Sequence, residues 1–376
     1  MGPSDINKRR QQRLPFVVAL GAALVTTGVF IAWIRLGIGG DTPTLYVDDV
    51  GTVLAALTAA VLCAGAALRH SGPKRRFWLM LAAATGVWAL AEATWTVYEL
   101  VLHEPVPVPS WADVGYLAGI PLAVGALLYH PALRSGGIWK ARAVFDGLVI
   151  ATALLFLSWT LVLGPLWQST DLTTLGGVVA LAYPFGDVVI VFFIVVAIRR
   201  MTGGDGVALL CLLVGLLLMA LSDSTYAYLA GVGSYESGDL VDAGWVAAYL
   251  AIALAAFSSF APGEPVVRRS ETSSPTLAAL VAPLLPVLVA LTVVAVQMKL
   301  GGHRLDNVAR LMAFALVGLA LVRQTLLVFD LLAPEAGREE GMLERIERVA
   351  LGIATRNTAE PSKSLPPWRR ESHEQL

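Results

Sequence analysis

Residues 175–198 read LGGVVALAYPFGDVVIVFFIVVAI, with Asp187 the single charged side chain in the run. A bilayer's hydrocarbon core, about 30 Å thick, takes about 20 predominantly apolar residues of helix, so this run is a membrane span. The same signature recurs on both sides of it. Further spans are predicted at 14–36, 49–68, 77–102, 114–129, 144–166, 207–231, 240–260, 277–298 and 307–332. The chain as a whole agrees: of 376 residues 56% are hydrophobic and only 15% charged, with a mean hydropathy of +0.69. Soluble domains are about one-quarter charged, so a water-soluble globule is excluded.

Four cations, Lys8, Arg9, Arg10 and Arg13, precede the first span. That resembles a signal peptide's start, but the apolar run exceeds the 7 to 15 residues of a cleavable signal and reads as a retained helix. Residues 1–13 form a basic tail, 14–332 the bundle and 333–376 a second tail. The latter is too short for an enzyme domain, so no catalytic output is expected. Cys63 and Cys211 fall inside spans and read as small hydrophobes.

Cytoplasmic loops carry an excess of Lys and Arg. With the N-terminus in the cytoplasm, Arg69, Lys74, Arg75, Arg76, Arg134, Lys140, Arg142, Arg199, Arg200, Arg268 and Arg269 all fall in inner loops. The opposite loops 103–112, 167–174 and 232–239 contain no Lys or Arg; Lys299 and Arg304 are the outer exceptions. Ten spans return the C-terminus to the cytoplasm, in the plasma membrane of the cell. There Met342, Ile346, Val349 and Ile353 form an apolar seam over residues 338–355, as a coiled coil or a surface amphipathic helix would, before a Pro-rich, disordered end.

Two hairpins echo one another. Glu92-Ala-Thr-Trp95 in the third span returns as Asp223-Ser-Thr-Tyr226 in the seventh, and Asp113-Val-Gly115-Tyr116 as Asp242-Ala-Gly244-Trp245, at nearly the same offset. Four spans separate the copies, so they cross the membrane in the same direction. The expected fold is therefore an all-α, polytopic integral membrane helix bundle of about ten transmembrane helices with parallel internal hairpin repeats. A weaker third echo links Pro121 with Pro184.

The segments Pro109-Ser-Trp111-Ala-Asp113-Val-Gly115-Tyr116, Ala182-Tyr183-Pro184-Phe-Gly186-Asp187, Ser222-Asp223-Ser-Thr-Tyr226-Ala-Tyr228 and Asp242-Ala-Gly244-Trp245 carry a resemblance. Together, over about residues 77–332, they resemble the multi-span membrane region found N-terminal to GGDEF and EAL cyclic-di-GMP domains in actinobacterial signalling proteins. The resemblance implies a sensory input role. It does not extend to cyclase activity: Gly39-Gly40-Asp41 and Gly203-Gly204-Asp205 are not followed by Glu-Phe.

Ionisable groups inside a membrane are costly unless they face a cavity, a partner or water. Glu92 and Glu99 stand a heptad apart on one helix face, with Trp95 near the same face. The topology places Glu92, Glu99, Asp187 and Asp223 from mid-membrane to the outer half, and Asp113 and Asp242 at the outer boundary, with Trp95, Tyr98, Trp111, Tyr116, Tyr183, Tyr226, Tyr228 and Trp245 at similar depth. The expected site is an outward-facing acidic pocket of Glu92, Trp95, Glu99, Asp113, Tyr183, Asp187, Asp223, Tyr226, Asp242 and Trp245. Acids ringed by aromatics suit a small cationic or amphipathic ligand through charge and cation–π attraction; a divalent cation or protons suit them as well. Against this stand blander roles: an interfacial belt for the aromatics, helix N-caps for Asp113 and Asp242, and hydrogen bonds between helices for the remaining acids.

Arg310 is placed to pair with one of these acids, and Arg323 to snorkel inward. His103 and His303 lack metal-ligand spacing, and no catalytic motif is present, so neither metal, cofactor nor enzyme activity is expected. The sequence thus points to a sensor-like or regulatory membrane protein whose C-terminal tail recruits a cytoplasmic signalling partner or dimerises. The alternative is a secondary transporter or ion- or proton-coupled carrier using the intramembrane carboxylates. Nucleic acid is not an implied partner.

Overall fold

Sequence punctuation marks out the helices of the computed structural model, which describes residues 3–131, 139–164, 167, 174–199, 206–260, 284–301 and 305–332. Among them run ten α-helices and no strand: α1 Pro3–Leu36, α2 Asp41–Arg69, α3 Gly72–Thr96, α4 Trp111–Tyr129, α5 Trp139–Ser158, α6 Leu175–Arg199, α7 Gly206–Gly231, α8 Asp242–Ser258, α9 Leu285–Gly301 and α10 Asn307–Leu332. Wider π-turns extend α3 over Val97–Leu102 and α5 over Trp159–Leu163. Proline at the first turn opens α3, where its missing N–H costs nothing. A reciprocal pair opens α4: Ser110 Oγ accepts from the Asp113 N–H at 3.4 Å and Asp113 Oδ2 accepts from the Ser110 N–H at 2.6 Å.

Among the described residues, eight segments are long and apolar enough to cross a membrane, the makeup of a multi-pass membrane protein; α8 and the apolar part of α9 are shorter. The shortness of α8 goes with its position. It packs against α1, α2 and α7 and is buried on nearly every face, through Ala243, Ala248, Ala251, Ala253, Ala255 and Ala256 among others. Small residues let such helices approach closely, and α2 contributes a matching stripe of Ala55, Ala56, Ala59, Ala66 and Ala67. Further pairs are α2 with α3, α3 with α4, and α6 with α4, α5 and α7. Large apolar side chains such as Leu24, Val61, Leu68, Phe314 and Leu321 remain exposed, as a lipid-facing surface requires.

Two expected spans change at their ends. The second was placed at 49–68, yet α2 starts at Asp41 and buries both Asp48 and Asp49 inside the helix. The ninth was placed at 277–298; its described helix runs Leu285–Gly301, and 277–283 lie outside the described residues. Residues 1–323 form one compact unit; of the second, 324–376, only 324–332 are described, as the last turns of α10. The amphipathic helix expected at 338–355 lies outside the described residues, as does His303. Cys63 is buried, Cys211 is half-buried, and both are free thiols.

Candidate functional site

At the bundle end that carries loops 103–110 and 232–241, six helices surround a cavity of about 230 Å³. α2 supplies Asp48, Asp49 and Thr52, α3 supplies Trp88, Glu92 and Trp95, and α4 supplies Asp113, Tyr116 and Ile120. From α6 come Tyr183, Asp187 and Ile190, from α7 Met219, Asp223 and Tyr226, and from α8 Asp242, Trp245 and Tyr249, with Tyr235 closing from the loop. Among the described residues the lining includes no Lys, Arg or His. It is therefore a carboxyl-rich, aromatic chamber without a cation of its own.

Most of these acids are held by protein donors. Glu92 receives a hydrogen bond from Tyr116 at Oε2 and from Tyr249 at Oε1, both 2.8 Å long. Trp245 Nε1 donates to Asp223 Oδ1 at 2.6 Å. Tyr183 donates its hydroxyl to Asp113 Oδ1, while Asp113 Oδ2 caps α4 through Ser110. The Gly238 N–H sits 2.8 Å from both Asp48 Oδ2 and Asp242 Oδ2, which brings these two carboxyls together across α2 and α8. Gly238 has φ 92°, in the left-handed region that glycine tolerates, and this aims its N–H at the pair. Tyr235 donates to Asp242 Oδ1 at 3.1 Å. Burial, then the neighbouring carboxyls of Asp242 and Asp48, pushes the Tyr235 phenol well above its ordinary range, so it stays protonated as a donor.

Ring contacts order the middle of the chamber. Tyr226 packs edge-on against Trp95 at 6.1 Å and Tyr235 at 4.7 Å, and lies tilted 5.8 Å from Trp245. Trp88 donates to the Tyr116 carbonyl at 3.1 Å and fills the space where a Gly119 side chain would stand. The glycine is what admits the indole to the wall.

All the residues expected at the pocket line this cavity except Glu99. Glu99 falls in the π-turn Val97–Leu102. Its Oε1 accepts from Ser237 at 2.6 Å in the loop before α8. The N-cap expectation also divides: Ser110, not Asp113, is the N-cap of α4, with Asp113 the reciprocal partner at N3. Asp242 is the first residue of α8, and no side chain caps that helix. Arg310 bonds Asn307 and the Asp306 carbonyl, away from the cavity acids. Arg323 does not snorkel but is fully buried, 2.8 Å from Asp146 on α5.

Sequence reasoning passed over Asp48, Asp49, Trp88, Tyr235 and Tyr249 as site residues. A signal existed for Tyr249: Asp242, Trp245 and Tyr249 share the spacing of Glu92, Trp95 and Glu99 and lie on one face of α8. For Trp88 and Tyr235 there was none. Among the described residues, no three His, Cys, Asp or Glu side chains are grouped to hold a metal ion. The chain matches no protein-family profile, no curated protein and no solved structure.

Proposed function

We propose that this is a ten-span, sensor-like or regulatory plasma-membrane protein with both termini in the cytoplasm, and that it binds a small cationic or amphipathic ligand in its cavity. The observation that carries this reading is a chamber lined, among the described residues, by seven carboxyls, of Asp48, Asp49, Glu92, Asp113, Asp187, Asp223 and Asp242, and by no cation. A buried carboxylate costs several kcal/mol unless paired or hydrated, and a cationic guest relieves that cost. Arg69, Lys74, Arg75 and Arg76 at the α2–α3 junction lie at the other end of α3 from loop 103–110, which supports an outward-facing mouth. Resemblance to the membrane region preceding cyclic-di-GMP domains supports a sensory role, with the tail passing the signal to a partner or a second copy.

The parallel repeat gains support from its hydrogen bonds. Tyr116 donates to Glu92 between α3 and α4, and the echoing Trp245 donates to the echoing Asp223 between α7 and α8. Gly115 closes on Ala91, and Gly244 on Ser222, at matching positions. Trp95 and its echo Tyr226 meet face to edge between the two hairpins.

One observation favours a carrier: Asp187 stands one turn from Pro184 within α6, and its Oδ2 has no hydrogen-bond partner. Proteoliposomes separate the two readings. Cation-dependent change in tail-to-tail crosslinking without solute or proton flux supports the sensor. Flux that Asp187→Asn abolishes establishes the carrier and overturns it.

A further inference from the structure

Three oxygens of the cavity carboxyls have no hydrogen-bond partner: Asp187 Oδ2, Asp48 Oδ1 and Asp49 Oδ2. Their side chains are deeply buried, with residue exposures of 8%, 4% and 6%, and all three residues line the cavity. A buried acceptor without a donor costs free energy that a ligand's donor can recover. The other four cavity carboxyls, of Glu92, Asp113, Asp223 and Asp242, are engaged by protein donors.

The open acceptors form two poles. Asp187 belongs to α6, which packs chiefly against α4, α5 and α7, while Asp48 and Asp49 belong to α2, which packs chiefly against α1, α3 and α8. The two helices thus stand in different groups of neighbours, with the cavity common to both. Its remaining wall offers rings and aliphatic groups, Trp95, Tyr226, Trp245 and Met219 among them. A matching guest needs a cationic donor at each end and an apolar stretch between. A single metal ion fits poorly, because no three carboxyls converge on a point among the described residues.

We propose that the cavity takes a linear α,ω-diamine, with one ammonium on Asp187, the other on the Asp48–Asp49 pair, and the methylene chain lying along the aromatic wall. This rests on the cation-binding reading above and names the ligand class. Ammonium is a compact donor that bonds a carboxylate strongly, and methylenes add apolar contact in proportion to length. Affinity therefore rises with chain length until both poles are reached, then falls.

The test titrates the full chain in nanodiscs with alkane diamines of increasing length and with the monoamine of each length, reading tryptophan fluorescence from Trp88, Trp95 and Trp245. The best-fitting diamine is expected to bind at least about tenfold more tightly than its monoamine, the effect of one added charge-assisted hydrogen bond. Asp187→Asn is expected to bring that ratio to about one, and the Asp48→Asn, Asp49→Asn double variant to do the same. The length series on the unaltered protein keeps the test decisive should a variant misfold. Amine binding with no preference for two charges, or a ratio indifferent to Asp187→Asn, overturns the diamine assignment alone. Failure of every amine to bind overturns the cation-binding reading with it.

Discussion

Glu92 has two phenolic donors, one on each carboxyl oxygen, and they come from α4 and α8. A single side chain on α3 thereby ties three helices together. Tyr249→Phe removes one donor while keeping the ring and its contact with Trp88 at 6.4 Å. The expected loss is about 1 to 2 kcal/mol, read as a lowered midpoint of thermal unfolding in detergent. Tyr228→Phe, at a half-exposed position, is the control and should shift stability by less than about 0.5 kcal/mol. At this scale Glu92, Asp113, Asp187, Asp223 and Asp242 could be picked out from sequence, because a carboxyl within or beside an apolar run is costly in lipid. Their partners could not, since Tyr249 is separated from Glu92 by 157 positions and looks like any interfacial tyrosine.

At the scale of elements, α5 and α10 are joined by the buried pair of Asp146 and Arg323, with Trp159 donating to Asp306 at 3.1 Å nearer the other end of α5. An apolar cluster of Val149, Ala153, Phe156, Ala309 and Leu316 fills the space between. Removing one member of a buried pair strands the other charge. Arg323→Met is therefore expected to cost about 3 to 5 kcal/mol, and the double variant Arg323→Met, Asp146→Leu to recover most of it. Chemical unfolding in mixed micelles checks both; equal losses in single and double variants would contradict the pairing. Helix positions were legible because apolar runs of span length have one stable form in lipid. Helix ends were less so: α2 begins eight residues before the expected 49, and Asp48 is met there by the Gly238 N–H from far along the chain.

For the molecule as a whole, the cavity opens beside loops 103–110 and 232–241, which contain no Lys or Arg. The proposed orientation makes Ser234 extracellular and Ser71 cytoplasmic, and both positions are exposed. A membrane-impermeant maleimide should label Ser234→Cys in intact cells and Ser71→Cys only after permeabilisation, against the low background of buried Cys63 and half-buried Cys211. The opposite pattern would turn the cavity toward the cytoplasm.

What could be read from the chain alone was the solvent. Hydropathy demands lipid, lipid demands helices that satisfy their own backbones, and the intervals between charges set roughly where those helices run. Which acid meets which donor was decided by folding. The short α8 is enclosed by small-residue contacts, Glu99 meets Ser237 in the loop before α8, and Gly238 draws Asp48 to Asp242. Each depends on how helices distant in sequence approach one another, and periodicity along one helix contains no information about its neighbours.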